Sequence, residues 1–172
     1  LPRDLVANLK VVEGDITNLS TCHKASKGVE YILHQAAIPS VPRSVALPIE
    51  SNSANIDGTL NLLVAARDAG VKRLIFASSS SVYGNAPGYP RKETIFPEPL
   101  SPYGVQKLTA ENYLRIFHEL YGLETVSLRY FNVFGPCQDP YSDYAAVIPV
   151  FIKAFLSDTR PIVYGDGEQS RD

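Results

Sequence analysis

The stretch KRLIFASSSS, residues 72–81, joins a short run of apolar residues to four consecutive serines. A continuous apolar run of this length is typical of a strand that is buried on both faces of a parallel sheet. Three further segments have the same character: LKVVEGD at 9–15, VEYILHQAA at 29–37 and ETVSLRYFNVFG at 124–135. The sequence therefore predicts four strands, and each of them runs into a polar or glycine-containing turn.

Helices are predicted between these strands. Asn18 can cap a short helix that ends at Gly28, and apolar residues recur at helical spacing over 53–68 before Gly70. Ser101 followed by Pro102 predicts the start of a helix that runs to about residue 121, and a last helix is predicted over 147–156. Two proline-rich segments, 38–48 and 84–100, are predicted as loops. Strands that alternate with helices predict an α/β fold with a parallel sheet covered on both faces.

In such a sheet, ligands bind at the carboxyl ends of the strands. Here those ends are Gly14-Asp15, His34–Ile38, Ala77–Ser81 and Tyr130–Val133. The topology therefore places the serine cluster at one edge of the sheet, beside the other strand ends. We expect the functional site at this edge.

The segment SPYGVQK, residues 101–107, adds reactive groups to this edge. Tyr103 and Lys107 are four residues apart, so they lie on one face of the predicted helix. A nearby ammonium favours the phenolate and lowers the pKa of a tyrosine, as a general base requires. The strand-end serines can hydrogen-bond the same substrate oxygen. The alternative is an exposed tyrosine and a solvated lysine at a helix start, and the serines favour the catalytic interpretation.

Composition excludes several classes of protein. The net charge of the 172 residues is −2, which gives no basic surface for nucleic acid. No apolar run approaches membrane-spanning length, and nothing at the first residues resembles a signal peptide. Cys22 and Cys137 have no metal-ligand neighbours, so no metal site is expected, and reduced thiols suit a cytoplasmic protein. His34 lies within a strand, where a core histidine is the more frequent finding.

Taken together, the motifs SSSSVYG, SPYGVQK, HQAA, GDI, NIDGT and LRYFNVFGP resemble the extended short-chain dehydrogenase/reductases. The segments HQAAIPSVPRS, YAAVIP and GDGEQSRD are similar to those of the UDP-N-acetylglucosamine 4-epimerases in the NAD-dependent epimerase/dehydratase family. The resemblance implies a Rossmann-type doubly wound sheet. It also implies NAD as cofactor and a UDP-sugar as substrate.

The resemblance assigns roles residue by residue. The catalytic residues would be Ser79, Tyr103 and Lys107. The cofactor-binding residues would be Asp15, Ile16, Ala36, Ala37, Ile38, Ser78, Tyr103, Lys107, Tyr130 and Val133. The substrate-binding residues would be Ser40, Ser79, Ser80, Asn132, Ala146, Val147 and Arg171.

Related activities remain as alternatives. The nucleotide-sugar 4,6-dehydratases carry an Asp-Glu pair where this chain has Ser80 and Ser81, which disfavours dehydration. A UDP-glucuronate 4-epimerase and a non-catalytic nucleotide-binding fragment stay open. The resemblance further implies a homodimer formed through helices 53–68 and 101–120.

The glycine-rich phosphate turn of this fold does not occur in the sequence. We therefore expect a partial cofactor domain over 1–145, followed by the start of a substrate-binding portion over 146–172. By the resemblance, the first two strands and most of the carboxy-terminal substrate domain are absent. On this expectation, the 172 residues alone bind NAD very weakly and turn over no UDP-sugar.

Overall fold

The computed structural model describes residues 8–88, 90–141, 145, 147–163 and 165–168. Its three strands are β1 (Tyr31–His34), β2 (Arg73–Ser79) and β3 (Glu124–Tyr130). They form one parallel sheet in the order β1-β2-β3, and Arg73 lies opposite both Tyr31 and Glu124. The predicted α/β class with a parallel sheet is confirmed.

The helices connect and cover these strands. They are α1 (Leu19–Ser26), α2 (Val41–Ala46), α3 (Pro48–Asn52), α4 (Gly58–Asp68), α5 (Pro102–Tyr121) and α6 (Val147–Leu156). A π-helical turn, Ser53–Asp57, joins α3 to α4, and a 3₁₀ turn, Ser80–Tyr83, follows β2. The predicted bounds of α6 and the predicted start of α5 agree with the structure.

The helix ends follow the local sequence. The Ser101 hydroxyl accepts a hydrogen bond from the Gly104 N–H at 3.1 Å, and Pro102 occupies the first helical position of α5. Gly122 ends α5 with a φ of 71°, a left-handed conformation that glycine adopts without a steric penalty. Asn18 caps α1 by accepting from the Ser20 N–H at 2.9 Å. Both predicted N-caps are therefore confirmed.

One hydrophobic core joins α1, α4 and α5 to one face of the sheet. Its buried members are Cys22, Leu62, Leu63, Ala65, Ala66, Val71, Leu74, Phe76, Ala110, Leu114, Phe117 and Leu123. On the other face, side chains of β1 such as Leu33 are exposed, with 68% of its surface accessible. The described residues therefore cover one face of the sheet, whereas the sequence predicted two covered faces.

Residues 9–15, predicted as a strand, form no strand in the structure. Leu9 and Val11 are 61% and 77% exposed. A strand is stabilised by hydrogen bonds to a neighbouring strand, and none of the described strands lies beside this segment. Residues 9–15 therefore have the apolar pattern of a strand, but among the described residues they have no neighbouring strand to pair with.

The segment 38–48, predicted as a loop, contains α2 and leads directly into α3. Ser40 caps α2 by accepting from the Arg43 N–H at 3.3 Å, and prolines occupy the first turns of α2 and α3. Proline is tolerated in the first turn of a helix because its missing N–H has no partner there. The prolines thus mark two helix starts.

Among the described residues, no helix is long and apolar enough to cross a membrane. The same residues contain no group of three or more histidine, cysteine or acidic side chains that could hold a metal ion.

Candidate active site

A cavity of about 520 Å³ lies at the carboxyl end of β2. It brings together five residues that were predicted as site residues from the sequence, namely Ser40, Ser79, Ser80, Tyr103 and Asn132. The other lining residues are Val41, Ser81, Tyr83, Gly84, Asn85, Arg91 and Phe131. The strand-end edge therefore carries a cleft that is large enough for part of a small-molecule ligand.

Ser79 and Tyr103 both line the cavity, and their side chains are close enough to interact. Ser79 is the last residue of β2, and Tyr103 lies in the first turn of α5. Burial raises the pKa of Tyr103 above its usual value, and the hydrogen bond with Ser79 opposes that rise. A substrate hydroxyl in this cleft could contact both oxygens.

Lys107 lies beneath the tyrosine and is only 3% exposed. Its Nζ donates to the Ala77 carbonyl at 2.7 Å and lies 4.6 Å from the centre of the Phe76 ring. Its distance to the centre of the Tyr103 ring is 5.6 Å. Burial lowers the pKa of Lys107 to about 8. The hydrogen bond to Ala77 thus holds Lys107 at the site, although burial disfavours its charged form.

The expected lowering of the Tyr103 pKa by Lys107 is wrong for this structure. The pKa of Tyr103 is raised, because loss of solvent around the phenol outweighs the favourable hydrogen bond. The Lys107 ammonium is directed at the Ala77 carbonyl. A phenol whose pKa is raised above its usual value is protonated at neutral pH.

Two local features fix the start of α5 against the cleft. A Cβ placed on Gly104 would lie 2.8 Å from the Ser81 carbonyl oxygen, so the absence of a side chain lets the helix approach the serine turn. The Tyr103 N–H donates to the Ser44 hydroxyl at 3.0 Å, and that hydroxyl donates to the Val41 carbonyl at 2.8 Å. Sequence reasoning missed Ser44, since nothing in the pattern links residues 59 positions apart.

The predicted cofactor residues 36–38 lie just after β1, and Asp15 and Ile16 lie in the segment before α1. Ala36 is exposed, and Ala37 and Ile38 are half-buried. Asp15 is exposed; its Oδ1 accepts from the Thr17 N–H at 2.8 Å, and this hydrogen bond lowers its pKa. An ionised carboxylate can accept a hydrogen bond from an amino group, and the adenine contact of Asp15 stays a prediction. Ile16 is half-buried, and its carbonyl accepts from Asn61 at 3.1 Å.

The remaining predicted residues are placed less favourably. Ser78 is 4% exposed and its hydroxyl donates to Glu111, so only its backbone could contact a cofactor. Tyr130 and Val133, at the end of β3, are 40% and 68% exposed. Val147 begins α6 and is not among the lining residues of the cavity. Ala146 and Arg171 lie outside the described residues.

Behind the cleft, an ion pair supports the aromatic residue Tyr83. Arg129 donates to both carboxylate oxygens of Glu111, with its Nη2 at 2.8 Å from Oε2. This pairing raises the pKa of Arg129, and its guanidinium lies 4.8 Å from the centre of the Tyr83 ring. Neither Glu111 nor Arg129 carries a sequence signal that marks it as a site residue, although both lie within a predicted helix or strand.

His34 is a buried structural residue, as the sequence analysis favoured. Its Nε2 lies 2.9 Å from the Thr59 hydroxyl oxygen, and that hydroxyl donates to the Asn55 carbonyl at 2.7 Å. With the Thr59 proton so directed, His34 donates from Nε2. Burial, together with the charge of Lys107, lowers the pKa of His34 to about 4.

Known proteins share this sequence and arrangement. The model of the NAD dependent epimerase/dehydratase family matches residues 2–172. The UDP-glucose 4-epimerase of Mycolicibacterium smegmatis is 39% identical over 163 residues, which are 94% of this chain and 50% of that protein. The UDP-glucuronate 4-epimerase of Thermodesulfobacterium geofontis is 38% identical over 169 residues, 96% of this chain and 50% of that protein.

Among solved structures, the UDP-N-acetylglucosamine 4-epimerase from Methanobrevibacter ruminantium M1, in complex with UDP-N-acetylmuramic acid, is similar with a TM-score of 0.94. It is 49% identical, and the match covers 100% of this chain and 55% of that one. The present chain thus spans about half the length of the curated relatives it matches. The family model, the relatives and the Rossmann-type structural match agree, and the chain belongs to the NAD dependent epimerase/dehydratase family.

Proposed function

We propose that this protein is an NAD-dependent enzyme that inverts C4 of a UDP-hexose, with a UDP-N-acetylhexosamine as the preferred sugar. The observation that carries the proposal is that Ser79 and Tyr103 line one cavity, with Lys107 buried next to Tyr103. The preference for an acetylated sugar is supported by the similarity to the Methanobrevibacter ruminantium enzyme, which is a UDP-N-acetylglucosamine 4-epimerase.

In this proposal the sugar 4-hydroxyl binds between Ser79 and Tyr103. The Ser79 hydroxyl orients the sugar oxygen, and the Tyr103 oxygen takes its proton. Bound NAD would supply the acceptor and then the donor of the C4 hydride, and rotation of the oxidised sugar in the cavity would expose its other face, so the overall reaction would have no net redox change. Tyr103 then gives the proton back. The resting pKa of Tyr103 is raised, so positive charge in the filled site has to stabilise the phenolate.

The chain offers several groups to the cofactor. Asp15 would accept a hydrogen bond from the adenine amino group of NAD. The backbone at 36–38 would line the phosphates and ribose of the cofactor. Lys107 would hydrogen-bond the nicotinamide ribose. Ile16, Tyr130, Val133 and the backbone of Ser78 complete the proposed cofactor contacts. Ser40, Ser80, Asn132, Ala146, Val147 and Arg171 are proposed to bind the UDP-sugar.

The cavity lining supports epimerisation over dehydration. Ser80 and Ser81 occupy the positions of the acid pair of the dehydratases, and the described residues that line the cavity include no carboxylic acid. Serine hydroxyls cannot perform acid–base chemistry at neutral pH. Expulsion of water from the sugar would therefore lack its general acid.

A UDP-hexuronate is the second candidate substrate. Arg91 lines the cavity, and a guanidinium can pair with a sugar carboxylate as well as with a diphosphate. The similarity to the UDP-glucuronate 4-epimerase of Thermodesulfobacterium geofontis favours the same alternative.

We further propose a cytoplasmic homodimer formed through helices 53–68 and 101–120. Val105 and Leu120 on α5 are 49% and 67% exposed and are available to a partner. Leu114 and Phe117, also apolar residues of α5, are buried in the core of the chain and are not available to a partner. Sedimentation of the full-length protein tests the dimer, and a monomer at micromolar concentration would contradict it.

The reaction itself is tested by NMR with the full-length protein and NAD. UDP-N-acetylglucosamine, UDP-glucose and UDP-glucuronate are supplied separately, and the C4 epimer of each is quantified. We expect the highest kcat/KM for the acetylated sugar. The highest kcat/KM for UDP-glucuronate would select the second candidate. If no sugar is converted, the chain belongs to a non-catalytic nucleotide-binding protein.

A further inference from the structure

A row of buried polar side chains lies between the segment 38–52 and α5. Ser51, Asn55 and Gln106 are 0%, 3% and 3% exposed. Buried amides are retained only where their hydrogen bonds are satisfied, because an unsatisfied amide in the interior is costly. The hydrogen-bond partners of these three residues therefore show which backbone segments they fix.

Asn55 holds the backbone of Ile38 at both of its polar groups. Its Oδ1 accepts from the Ile38 N–H at 2.8 Å, and its Nδ2 donates to the Ile38 carbonyl at 3.0 Å. The second N–H of the same amide donates to Gln106 Oε1 at 2.9 Å. Asn55 thus gives Ile38, which lies just beyond β1, the two backbone hydrogen bonds that a neighbouring strand would otherwise provide.

Gln106 fixes the orientation of this amide and extends the row to α3. Its Nε2 donates to the Ser51 hydroxyl at 2.9 Å, and that hydroxyl donates to the Pro48 carbonyl at 3.2 Å. With a donor on one side and an acceptor on the other, the Gln106 amide has one orientation that satisfies both neighbours.

We propose that Gln106 is a positioning residue that sets the segment 38–52 against the helix that carries Tyr103 and Lys107. It sits directly before Lys107 in α5, yet its side-chain hydrogen bonds go to α3 and the π-helical turn. Through Asn55 it determines where Ile38 lies, and Ser40, which lines the cavity, is two residues further along the chain. The inference rests on the proposed function, because it assigns Ile38 to the cofactor and Ser40 to the sugar.

If Gln106 is a positioning residue, its loss should weaken ligand binding and leave the rate of the chemical step nearly unchanged. Without the Gln106 amide, Asn55 loses a partner and Ile38 loses its fixed position, while Ser79, Tyr103 and Lys107 keep theirs. Affinity for NAD and for the UDP-sugar should therefore fall, and kcat at saturation should change little. A residue with only a structural role would lower the melting temperature or the active fraction, but it would leave Kd and KM unchanged.

The test uses Gln106→Met in the full-length protein, since methionine keeps the length of the side chain and removes both hydrogen bonds. We expect the Kd for NAD and the KM for the UDP-sugar to rise roughly tenfold, the effect of one lost buried hydrogen bond. Asn112→Leu is the matched control: it removes an exposed amide of α5 that donates only to the Leu108 carbonyl of the same helix. This control should leave both constants at the wild-type values.

Ser51→Ala provides a milder second variant, which removes a single hydrogen bond of Gln106 and keeps the inference testable if Gln106→Met does not fold. It should raise the same two constants by a smaller factor. Wild-type Kd and KM in the folded variants would overturn the positioning role, even if their melting temperatures fall. A wild-type protein that neither binds NAD nor converts a UDP-sugar would instead overturn the proposed function, and this inference with it.

Discussion

The Nζ of Lys107 and the carbonyl oxygen of Ala77 are 2.7 Å apart, which ties α5 directly to β2. Ala77 lies two residues before Ser79, so the same contact sets the distance between the catalytic helix and the serine strand end. Because the lysine is buried to form this contact, its pKa falls to about 8. A residue that organises the site is thus expected to destabilise the fold.

Lys107→Met should make the full-length protein more stable and less active. The difference between a pKa of about 8 in the folded state and the usual 10.5 corresponds to about 3 kcal/mol of unfavourable burial at neutral pH. The loss of the hydrogen bond to Ala77 offsets part of this, so we expect a net gain of about 1–2 kcal/mol. Denaturant unfolding at pH 7 without NAD measures it.

The gain in stability from Lys107→Met should depend on pH. Between pH 8 and 10.5 the unfolded wild-type chain binds a proton at Lys107 that the folded chain has released, so wild-type stability rises with pH in this window. The advantage of Lys107→Met should therefore shrink as the pH is raised. An advantage that stays constant from pH 7 to 10.5 would contradict the lowered pKa.

Tyr103→Phe should abolish epimerisation and leave NAD bound. The phenol supplies the proton transfer, which contributes roughly 10²–10⁴-fold to the rate, whereas the proposed cofactor contacts lie mostly elsewhere. NMR of the UDP-sugar products measures the rate, and fluorescence or absorbance of the purified protein measures NAD. Tyr113→Phe, on the same helix and partly buried against the core, is the control. Near-normal turnover in Tyr103→Phe would remove Tyr103 from the mechanism.

Ser79→Ala should lower kcat by roughly tenfold to a hundredfold, because the sugar oxygen and Tyr103 lose a hydrogen-bond partner. The substitution also removes the cap that Ser79 gives the Ser81 N–H at 3.1 Å. Ser79→Thr keeps the hydroxyl and should restore most of the rate. Equal rates in the alanine and threonine variants would show that the hydroxyl has no role.

His34→Gln should reduce the acid sensitivity of the fold. The pKa of His34 is about 4 in the folded state and 6.5 in its ordinary state, so the unfolded chain takes up a proton first as the pH falls. Wild-type stability should therefore drop by up to about 3 kcal/mol between pH 6.5 and 4.

Comparison of denaturation midpoints at pH 7 and pH 4.5 isolates this effect, with His23→Gln at a partly exposed histidine as the control. The drop should be smaller in His34→Gln and unchanged in His23→Gln. An equal drop in all three proteins would mean that His34 is not the group responsible.

The parts of the fold that the sequence predicted well depend on local chemistry. The cap at Ser101, the proline after it and Gly122 set the ends of α5 without reference to the rest of the chain. The position of the site also followed from pattern alone, because parallel strands end at a common edge. Five of the predicted site residues do line one cavity.

The parts that could not be predicted depend on contacts between distant segments. Residues 9–15 have the apolar pattern of a strand, but a strand also needs a neighbour. The Asn55–Gln106 contact spans 51 positions, and no local signal distinguishes these amides from exposed ones. A lowered pKa of Tyr103 was predicted from the charge of Lys107. In the structure, burial of the phenol is the larger effect, and it raises this pKa.

The π-helical turn Ser53–Asp57 determines the rotational phase between α3 and α4. A π-helical turn contains about one residue more than an α-helical turn, so this segment takes up an extra residue without changing the faces that α3 and α4 present. If the same residues wound as a regular α-helix, everything before the turn would rotate by about 100°, and Ser51 would face away from Gln106 while α4 stayed packed in the core. The π-helical winding of this turn thus decides which face of α3 meets α5, and deletion of the one extra residue together with the bulge should be tolerated better than insertion of another.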